Sequence, residues 1–167
     1  AAVIAAYHPK WEDRPLLVGT GTNCTRTTID DTAAFASIDA VAGVLVVVPY
    51  YTRPSADAVV EHYRAVVVAS PVPVVAYNIP YRTGVNIEPA TVKALAADGR
   101  FAALKECGGN IPQLMDLIHE TPLKILSGED SLAFVNLCLG GHGAIAASAH
   151  LRPDLHVRLF DLMRAGQ

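Results

Sequence analysis

Six short apolar segments recur along the chain, each bounded by glycine or proline. Most are continuous runs rich in valine, leucine and isoleucine rather than alternations of apolar and polar residues. The segments are PLLVGT (15–20), GVLVVVP (43–49), PVVAYNIP (73–80), FAALKE (101–106), LKILSG (123–128) and GAIAAS (143–148). Continuous apolar runs of this length are typical of parallel strands that are buried on both faces. The pattern therefore predicts six strands of a parallel sheet.

The stretches between these strands carry helical signals. Apolar residues recur about every 3.6 positions in SADAVVEHYRAVVVA (55–69), where Ser55 is the expected N-cap. Asn23 or Thr25 is expected to cap a helix in TRTTIDDTAAFASI (25–38). First-turn prolines are expected to begin three further helices, at Pro89, Pro112 and Pro153. Strands and helices therefore alternate along the chain, as in a series of βαβ units.

Six such units fit two architectures, an open doubly wound sheet or a (β/α)8 TIM barrel that lacks parts. Residues 1–8 resemble the end of a helix from an earlier unit. Polar residues cluster where the predicted strands end, which is where barrels place their chemistry. These residues are Thr20 and Thr22; Tyr50, Tyr51 and Arg53; Tyr77, Asn78 and Arg82; Lys105 and Glu106; Ser127, Gly128, Glu129 and Asp130; Ser148 and His150. We predict an α/β fold, an incomplete (β/α)8 barrel of about six βα units, in a single domain over residues 1–167.

The composition excludes several classes of protein. The chain of 167 residues has a net charge of −3 and no basic run, so a nucleic-acid partner is not expected. Its apolar runs are too short to cross a membrane. Three scattered cysteines and six histidines without ligand spacing predict neither disulfides nor a metal site. We expect a soluble protein of a reducing compartment, the cytoplasm.

Lys105 ends the fourth apolar run, and lysine is seldom buried unless its amine is used. Phe101, Ala103 and Leu104 are expected to surround it, and the loss of water disfavours the charged ammonium form. A neutral amine is a nucleophile that forms a Schiff base with a ketone or aldehyde. The resulting iminium permits C–C bond formation or cleavage without a metal.

Neighbouring polar residues leave alternatives open. Lys105 is also able to form a structural ion pair with Glu106 or Glu129. Tyr77 ends the preceding strand, and its phenol suits proton transfer to and from a carbinolamine, although a core aromatic is an equal reading. Arg82 follows a proline and offers a planar fork to a carboxylate, or else is a solvated loop residue.

Five motifs occur in order along the chain: VVVPYYTRPS, AYNIPYRTG, ALKE, LSGED and GGHGAIAA. Together they closely resemble the dihydrodipicolinate synthase (4-hydroxy-tetrahydrodipicolinate synthase) family of the pyruvate aldolase superfamily, which also contains N-acetylneuraminate lyase. The resemblance covers nearly the whole chain. It implies a TIM barrel of which strands three to eight are present, in a chain truncated at both ends.

The resemblance implies a class I (Schiff-base) lyase and assigns three catalytic residues. Lys105 corresponds to the lysine that captures pyruvate, and Tyr77 to the proton-relay phenol beside it. Tyr51 resembles the tyrosine that family members insert into a neighbouring subunit's site, which implies a homo-oligomer, a dimer or tetramer. The covalent imine replaces any cofactor.

Three substrate-binding positions follow from the same resemblance. Arg82 corresponds to the arginine that receives the carboxylate of aspartate semialdehyde, and Gly128 and Ile145 to positions whose backbone lines the pyruvate pocket. Sialic-acid lyases lack the RTG ending at residues 82–84, which favours a small acidic aldehyde. The implied reaction condenses pyruvate with aspartate semialdehyde to 4-hydroxy-tetrahydrodipicolinate, in lysine and diaminopimelate biosynthesis.

Two departures from the family pattern keep other functions open. The family's Gly-Thr-Thr-Gly-Glu loop, whose threonine links the two tyrosines, is not found, and six strands leave two sheet edges open. Thr27 stands where lysine-inhibited members carry a glutamate, so feedback inhibition is expected to be weak. The alternatives are another pyruvate-dependent 2-oxo-acid aldolase, or an inactive barrel fragment that only binds a ligand or partner.

Overall fold

The structure, a computed structural model, describes residues 14–167. One parallel sheet holds all six predicted strands, and the sequence prediction of them is confirmed. The strands are β1 (Leu16–Gly19), β2 (Val41–Val47), β3 (Val74–Asn78), β4 (Phe101–Glu106), β5 (Lys124–Ser127) and β6 (Gly143–Ala144). Neighbours in the sheet are consecutive in the chain, from β1 to β6. A doubly wound sheet reverses its strand order at a switch point. The order of these six strands has no such reversal, so the prediction of an incomplete barrel is confirmed. The helix end predicted in residues 1–8 lies outside the described residues.

Helices connect successive strands. They are α1 (Thr25–Ala36), α2 (Ala56–Ala69), α3 (Pro80–Thr83), α4 (Pro89–Ala96), α5 (Ile111–Glu120), α6 (Ala133–Cys138) and α7 (Pro153–Arg164), with 3-10 turns at Asp130–Leu132 and Ala147–His150. The three prolines lie in the first turns of α4, α5 and α7, as predicted. No helix in residues 14–167 combines the length and apolarity that a membrane span needs.

The two predicted N-caps have different outcomes. Ser55 is confirmed, because its Oγ accepts a hydrogen bond from the Ala58 N–H at 3.3 Å. The prediction for α1 is wrong, because Cys24 is the N-cap and caps with no side-chain hydrogen bond. The hydroxyl of Thr22 instead accepts from the Cys24 N–H at 3.1 Å, which holds residue 24 in an extended conformation.

The core lies between the sheet and the helices. Tyr63 of α2 is fully buried there, and its hydroxyl donates to the Val46 carbonyl at 2.9 Å while accepting from the Tyr77 N–H at 3.4 Å. The ring of Tyr63 packs edge-on against Phe101, with ring centroids 5.9 Å apart. One tyrosine thereby joins β2 and β3 near their C-terminal ends and packs against the first residue of β4.

The opposite side of the sheet, called the inner face below, carries the side chains that alternate with the core residues. Leu17, Tyr77 and Lys105 lie on this face and keep part of their surface exposed. β1 and β6 end the sheet, so the two open edges predicted from the strand count are present within the described residues. Leu155 and Val157 of α7 are also exposed, at 48% and 60%.

Candidate active site

Tyr77 and Lys105 are brought together by the register of two neighbouring strands. They are direct partners across β3 and β4, so both side chains rise from the same face at the same level. The Lys105 Nζ lies over the Tyr77 ring, 4.2 Å from its centroid. An amine at this distance interacts with the electron-rich ring face. The structure therefore places the predicted nucleophile beside the predicted proton relay.

The apolar ring predicted around Lys105 is wrong in two of its three members. Leu104 faces the helices, because adjacent residues of a strand point to opposite faces. Phe101 also packs into the core, since the register of β3 and β4 shifts between Phe101 and Ala103. Lys105 is half-buried against Tyr77 rather than enclosed by aliphatic side chains.

The ion pair considered for Lys105 is not formed. Glu106 points away from the inner face, where both its carboxylate oxygens accept from the Asn78 Nδ2, at 3.1 and 2.9 Å. Glu129 accepts instead from the Tyr81 hydroxyl at 2.7 Å. Within residues 14–167, Lys105 takes part in none of the ion pairs. Its amine is therefore not committed to a carboxylate of the described chain.

A buried polar network fixes the strand ends beneath the pair. Glu106 also accepts from the Gly108 N–H, and burial raises the pKa of its carboxyl group, a shift that its hydrogen bonds only partly offset. The Asn78 Oδ1 accepts from the Ile87 N–H at 3.0 Å, and its Nδ2 donates to Asn86 at 2.8 Å. Because Asn78 and Glu106 are themselves register partners, these hydrogen bonds hold Tyr77 opposite Lys105.

Gly128 lies against the side chains of the site. A Cβ at this position would stand 2.1 Å from the Cys107 Sγ and 2.5 Å from the Lys105 Cε, far inside ordinary contact. The Gly128 N–H donates to the Glu106 carbonyl at 2.9 Å, so the backbone has little freedom to withdraw. A side chain is thus excluded here because Lys105 and Cys107 occupy its space.

Cys107 is a site residue that the sequence reasoning missed. It is 2% exposed, and its thiol lies 3.9 Å from the Tyr77 hydroxyl. Burial raises the pKa of this thiol to about 11. Burial, followed by the neighbouring thiol, also raises the pKa of the Tyr77 phenol. The only signal in the sequence is its position two residues after Lys105, which by strand alternation returns it to the same side.

Arg82 lies on α3, the short helix that follows β3. It is exposed, and its Cζ lies 5.5 Å from the centroid of the Tyr81 ring. None of the ion pairs found between residues 14 and 167 includes Arg82. Its guanidinium is therefore available to an anion arriving at the C-terminal end of the sheet.

Tyr51 and Ile145 occupy different settings. Tyr51 is 90% exposed and has a φ of 73°, a left-handed conformation that costs a bulky residue about 1–3 kcal/mol. A ring this exposed makes little contact with its own chain, so Tyr51 stands apart from Tyr77 and Lys105. Ile145 follows β6, where its N–H donates to the Ser127 carbonyl at 2.8 Å. Of its two backbone polar groups, the carbonyl is the one left for a ligand.

The comparison with protein families decides the relationship. The sequence model of the dihydrodipicolinate synthetase family matches residues 11–167. The chain belongs to this family. The resemblance stated from the five motifs is thereby confirmed, and with it the barrel fold.

Members of the dihydrodipicolinate synthetase family match the chain closely. The 4-hydroxy-tetrahydrodipicolinate synthase of Ligilactobacillus salivarius is 40% identical over 154 residues, covering 91% of this chain and 53% of the relative. The enzyme of the same description from Archaeoglobus fulgidus is 34% identical over 165 residues, covering 98% and 57%. The crystal structure of the chloride-inhibited dihydrodipicolinate synthase from Acinetobacter baumannii, complexed with pyruvate, is 30% identical with a TM-score of 0.93, covering 98% and 57%. The chain spans about half the length of the curated relatives it matches.

Proposed function

We propose that the chain acts as a class I lyase, condensing pyruvate with aspartate semialdehyde to 4-hydroxy-tetrahydrodipicolinate in lysine and diaminopimelate biosynthesis. The observation that carries the proposal is the Lys105 amine, 4.2 Å from the centroid of the Tyr77 ring and outside every ion pair of residues 14–167. The names of the relatives support the reaction, and the pyruvate in the A. baumannii crystal structure supports the first substrate.

The first step joins pyruvate to the chain. The Lys105 Nζ, in its neutral form, attacks the ketone carbon and gives a carbinolamine. The Tyr77 phenol donates a proton to the departing hydroxyl, water leaves, and a protonated imine remains. Loss of a proton from the methyl carbon then gives an enamine, which attacks the aldehyde carbon of the second substrate. The protonated imine is the electron sink for this deprotonation, so the route needs no added cofactor.

Arg82 and the pocket backbone are proposed to bind the two substrates. The Arg82 guanidinium, which forms no ion pair with the part of the chain that the structure describes, suits the carboxylate of aspartate semialdehyde, because a planar fork binds a carboxylate through two parallel hydrogen bonds. The backbones of Gly128 and Ile145 are proposed to line the pyruvate site, where the missing Cβ of Gly128 leaves Lys105 its space.

Tyr51 is proposed to act in a neighbouring subunit. Its exposed ring and strained backbone fit a side chain that is held outward to enter the site of another copy and extend the relay from Tyr77. We therefore propose a homo-oligomer, a dimer or tetramer, working in the cytoplasm.

Borohydride trapping tests the covalent step. Pyruvate and borohydride are added to the chain, and the peptide containing Lys105 is expected to gain the mass of pyruvate less water plus two hydrogens. Lys105→Ala should abolish the gain, whereas Lys93→Ala, which removes an exposed lysine paired with Glu120, should leave it intact. An unmodified chain, or label on other lysines only, would instead favour a fragment that merely binds a ligand or partner.

Arg82→Ala tests the second substrate. Consumption of aspartate semialdehyde should collapse while trapping of pyruvate survives, because Arg82 lies outside the Lys105–Tyr77 pair. Arg158→Ala is the matched control, since Arg158 is exposed on α7. Equal turnover by Arg82→Ala and Arg158→Ala would point to an aldolase that uses a different aldehyde.

A further inference from the structure

We propose that the thiol of Cys107 positions the Tyr77 hydroxyl for proton transfer, donating a hydrogen bond that fixes the phenol oxygen beside Lys105. This role goes beyond the residues assigned above, and its kinetic part rests on the proposed function. Cys107 is a positioning residue, since it acts through Tyr77 and not on the substrate.

Four distances define the arrangement. The Cys107 Sγ lies 3.9 Å from the Tyr77 Oη. Within residues 14–167, this thiol is the hydrogen-bond partner of the Tyr77 hydroxyl. The Lys105 Nζ lies 4.2 Å from the centroid of the same ring. A Cβ on Gly128 would approach the Cys107 Sγ to 2.1 Å and the Lys105 Cε to 2.5 Å. The Cys107 thiol and the Lys105 side chain therefore meet where a Gly128 side chain would lie, and each of them also contacts Tyr77.

The direction of the hydrogen bond matters for the chemistry. When the thiol donates, the phenol oxygen is held by its lone pair, and the phenol proton stays free to reach a carbinolamine above Lys105. The thiol keeps its proton at neutral pH because burial raises its pKa to about 11. A buried S–H is a weak hydrogen-bond donor. A weak hydrogen bond is sufficient here, because it only has to keep the Tyr77 side chain from moving its hydroxyl away from Lys105.

The position of the thiol is itself well determined. Cys107 is 2% exposed, and its N–H donates to the Asn78 carbonyl at 2.8 Å. The preceding Glu106 is anchored by Asn78 and by the Gly108 N–H. The backbone on both sides of the thiol is thus tied to the end of β3, the strand that carries Tyr77.

The test compares Cys107→Ala, Cys107→Ser and the control Cys138→Ala, which changes an exposed cysteine. Formation and hydrolysis of the pyruvate imine are followed by timed borohydride quenching. Cys107→Ala should slow both rates by one common factor of about three to ten, the range of a single lost hydrogen bond. The amount of imine at equilibrium should not change, because a proton relay alters rates and not the equilibrium. Cys107→Ser keeps a donor and should retain most of the rate, and Cys138→Ala should match the parent chain.

A double-mutant cycle with Tyr77→Phe separates positioning from a general structural effect. If the thiol acts through the phenol, Cys107→Ala should cause no further slowing in the Tyr77→Phe background. An equal loss in both backgrounds, or an unchanged rate in Cys107→Ala, overturns the proposal. A changed imine equilibrium would also count against it, since that indicates a reshaped pocket.

A spectroscopic measurement keeps this inference separate from the proposed function. The tyrosines are labelled with carbon-13 at the ring carbon that bears the hydroxyl, and their NMR resonances are recorded. The resonance that disappears in Tyr77→Phe is assigned to Tyr77. Cys107→Ala should shift that resonance, whereas Cys138→Ala should not. If the parent chain forms no imine, the proposed function fails and the resonance decides this inference alone: a shift supports the hydrogen bond, and an unmoved resonance overturns it.

Discussion

Gly128→Ala introduces one methyl group at the point where the chain has no room for it. The new Cβ would lie 2.1 Å from the Cys107 Sγ and 2.5 Å from the Lys105 Cε, roughly an ångström or more short of ordinary contact at 3.4–4 Å. Lys105 is long and half-exposed, so it moves first, whereas the Cys107 thiol is short and buried. Overpacking of this kind costs about 1–3 kcal/mol. Displacing a reacting group by about 1 Å lowers rates by as much as about 10²-fold.

Urea unfolding and the rate of pyruvate trapping measure the two effects. Gly99→Ala is the matched control, because nothing lies within 4 Å of its Cβ, and it should change stability by less than about 0.5 kcal/mol. Combining Gly128→Ala with Cys107→Ala removes the nearer clash and should restore part of the stability. A Gly128→Ala chain that unfolds at the parent midpoint and traps pyruvate at the parent rate would refute the reasoning.

Four further predictions concern the rest of the chain. Burial lowers the pKa of His62 to about 4 from an ordinary value of 6.5, so the unfolded chain takes up a proton first as the pH falls through that window. The free energy of unfolding, measured with urea, should therefore fall by about 2 kcal/mol between pH 7 and pH 5. His62→Gln should remove this loss, and the control His119→Gln should keep it. The same dependence of stability on pH in both variants would contradict the prediction. Asn78→Ala removes the side-chain hydrogen bonds to buried Glu106 and to the Ile87 N–H, and it should cost more than about 2 kcal/mol by thermal or urea unfolding. A near-neutral result would count against the network. If Thr27 stands where lysine-inhibited members carry a glutamate, as the sequence comparison with the family predicts, millimolar lysine should leave turnover nearly unchanged, and strong inhibition would overturn this. Because apolar side chains of α7 are exposed, the purified chain should self-associate in sedimentation velocity, where a monodisperse monomer would speak against it.

The six strands were predictable because each is a continuous apolar run, the pattern of a strand covered on both faces. The pairing of Tyr77 with Lys105 followed from placing both at strand ends, and the structure brings them into direct register. Ser55 and the three helix-starting prolines were predictable because each satisfies a local backbone requirement. The strands, the cap and the prolines depend on near neighbours in sequence, whereas the pairing of Tyr77 with Lys105 also requires β3 and β4 to be adjacent in the sheet.

The α1 N-cap was missed by one residue, but the errors at the site lie where long-range contacts decide the outcome. Phe101 was placed around Lys105, but a register shift in β4 turns it towards Tyr63. The only sequence signal for Cys107 is its position two residues after Lys105, and its importance depends on the space left by Gly128 at the end of the next strand. The catalytic roles of Lys105, Tyr77 and Tyr51 stay predictions. So do the substrate-binding roles of Arg82, Gly128 and Ile145, and the single domain over residues 1–167.

The Asn78–Glu106 hydrogen bonds also protect the chain from one particular misfolding. Side chains alternate along β3 and β4, so a slip of one residue in β4 would exchange the two faces of that strand. Lys105 would then be driven into the apolar layer beneath the helices, and Glu106 would project from the other side without Asn78. Lys105 would be buried without a partner, and Asn78 would lose its hydrogen bonds to Glu106, which makes the slipped pairing costlier than a slip in a purely apolar strand. A lineage that gains or loses one residue between α4 and β4 is therefore expected to absorb the change in the loop and leave the strand unshifted.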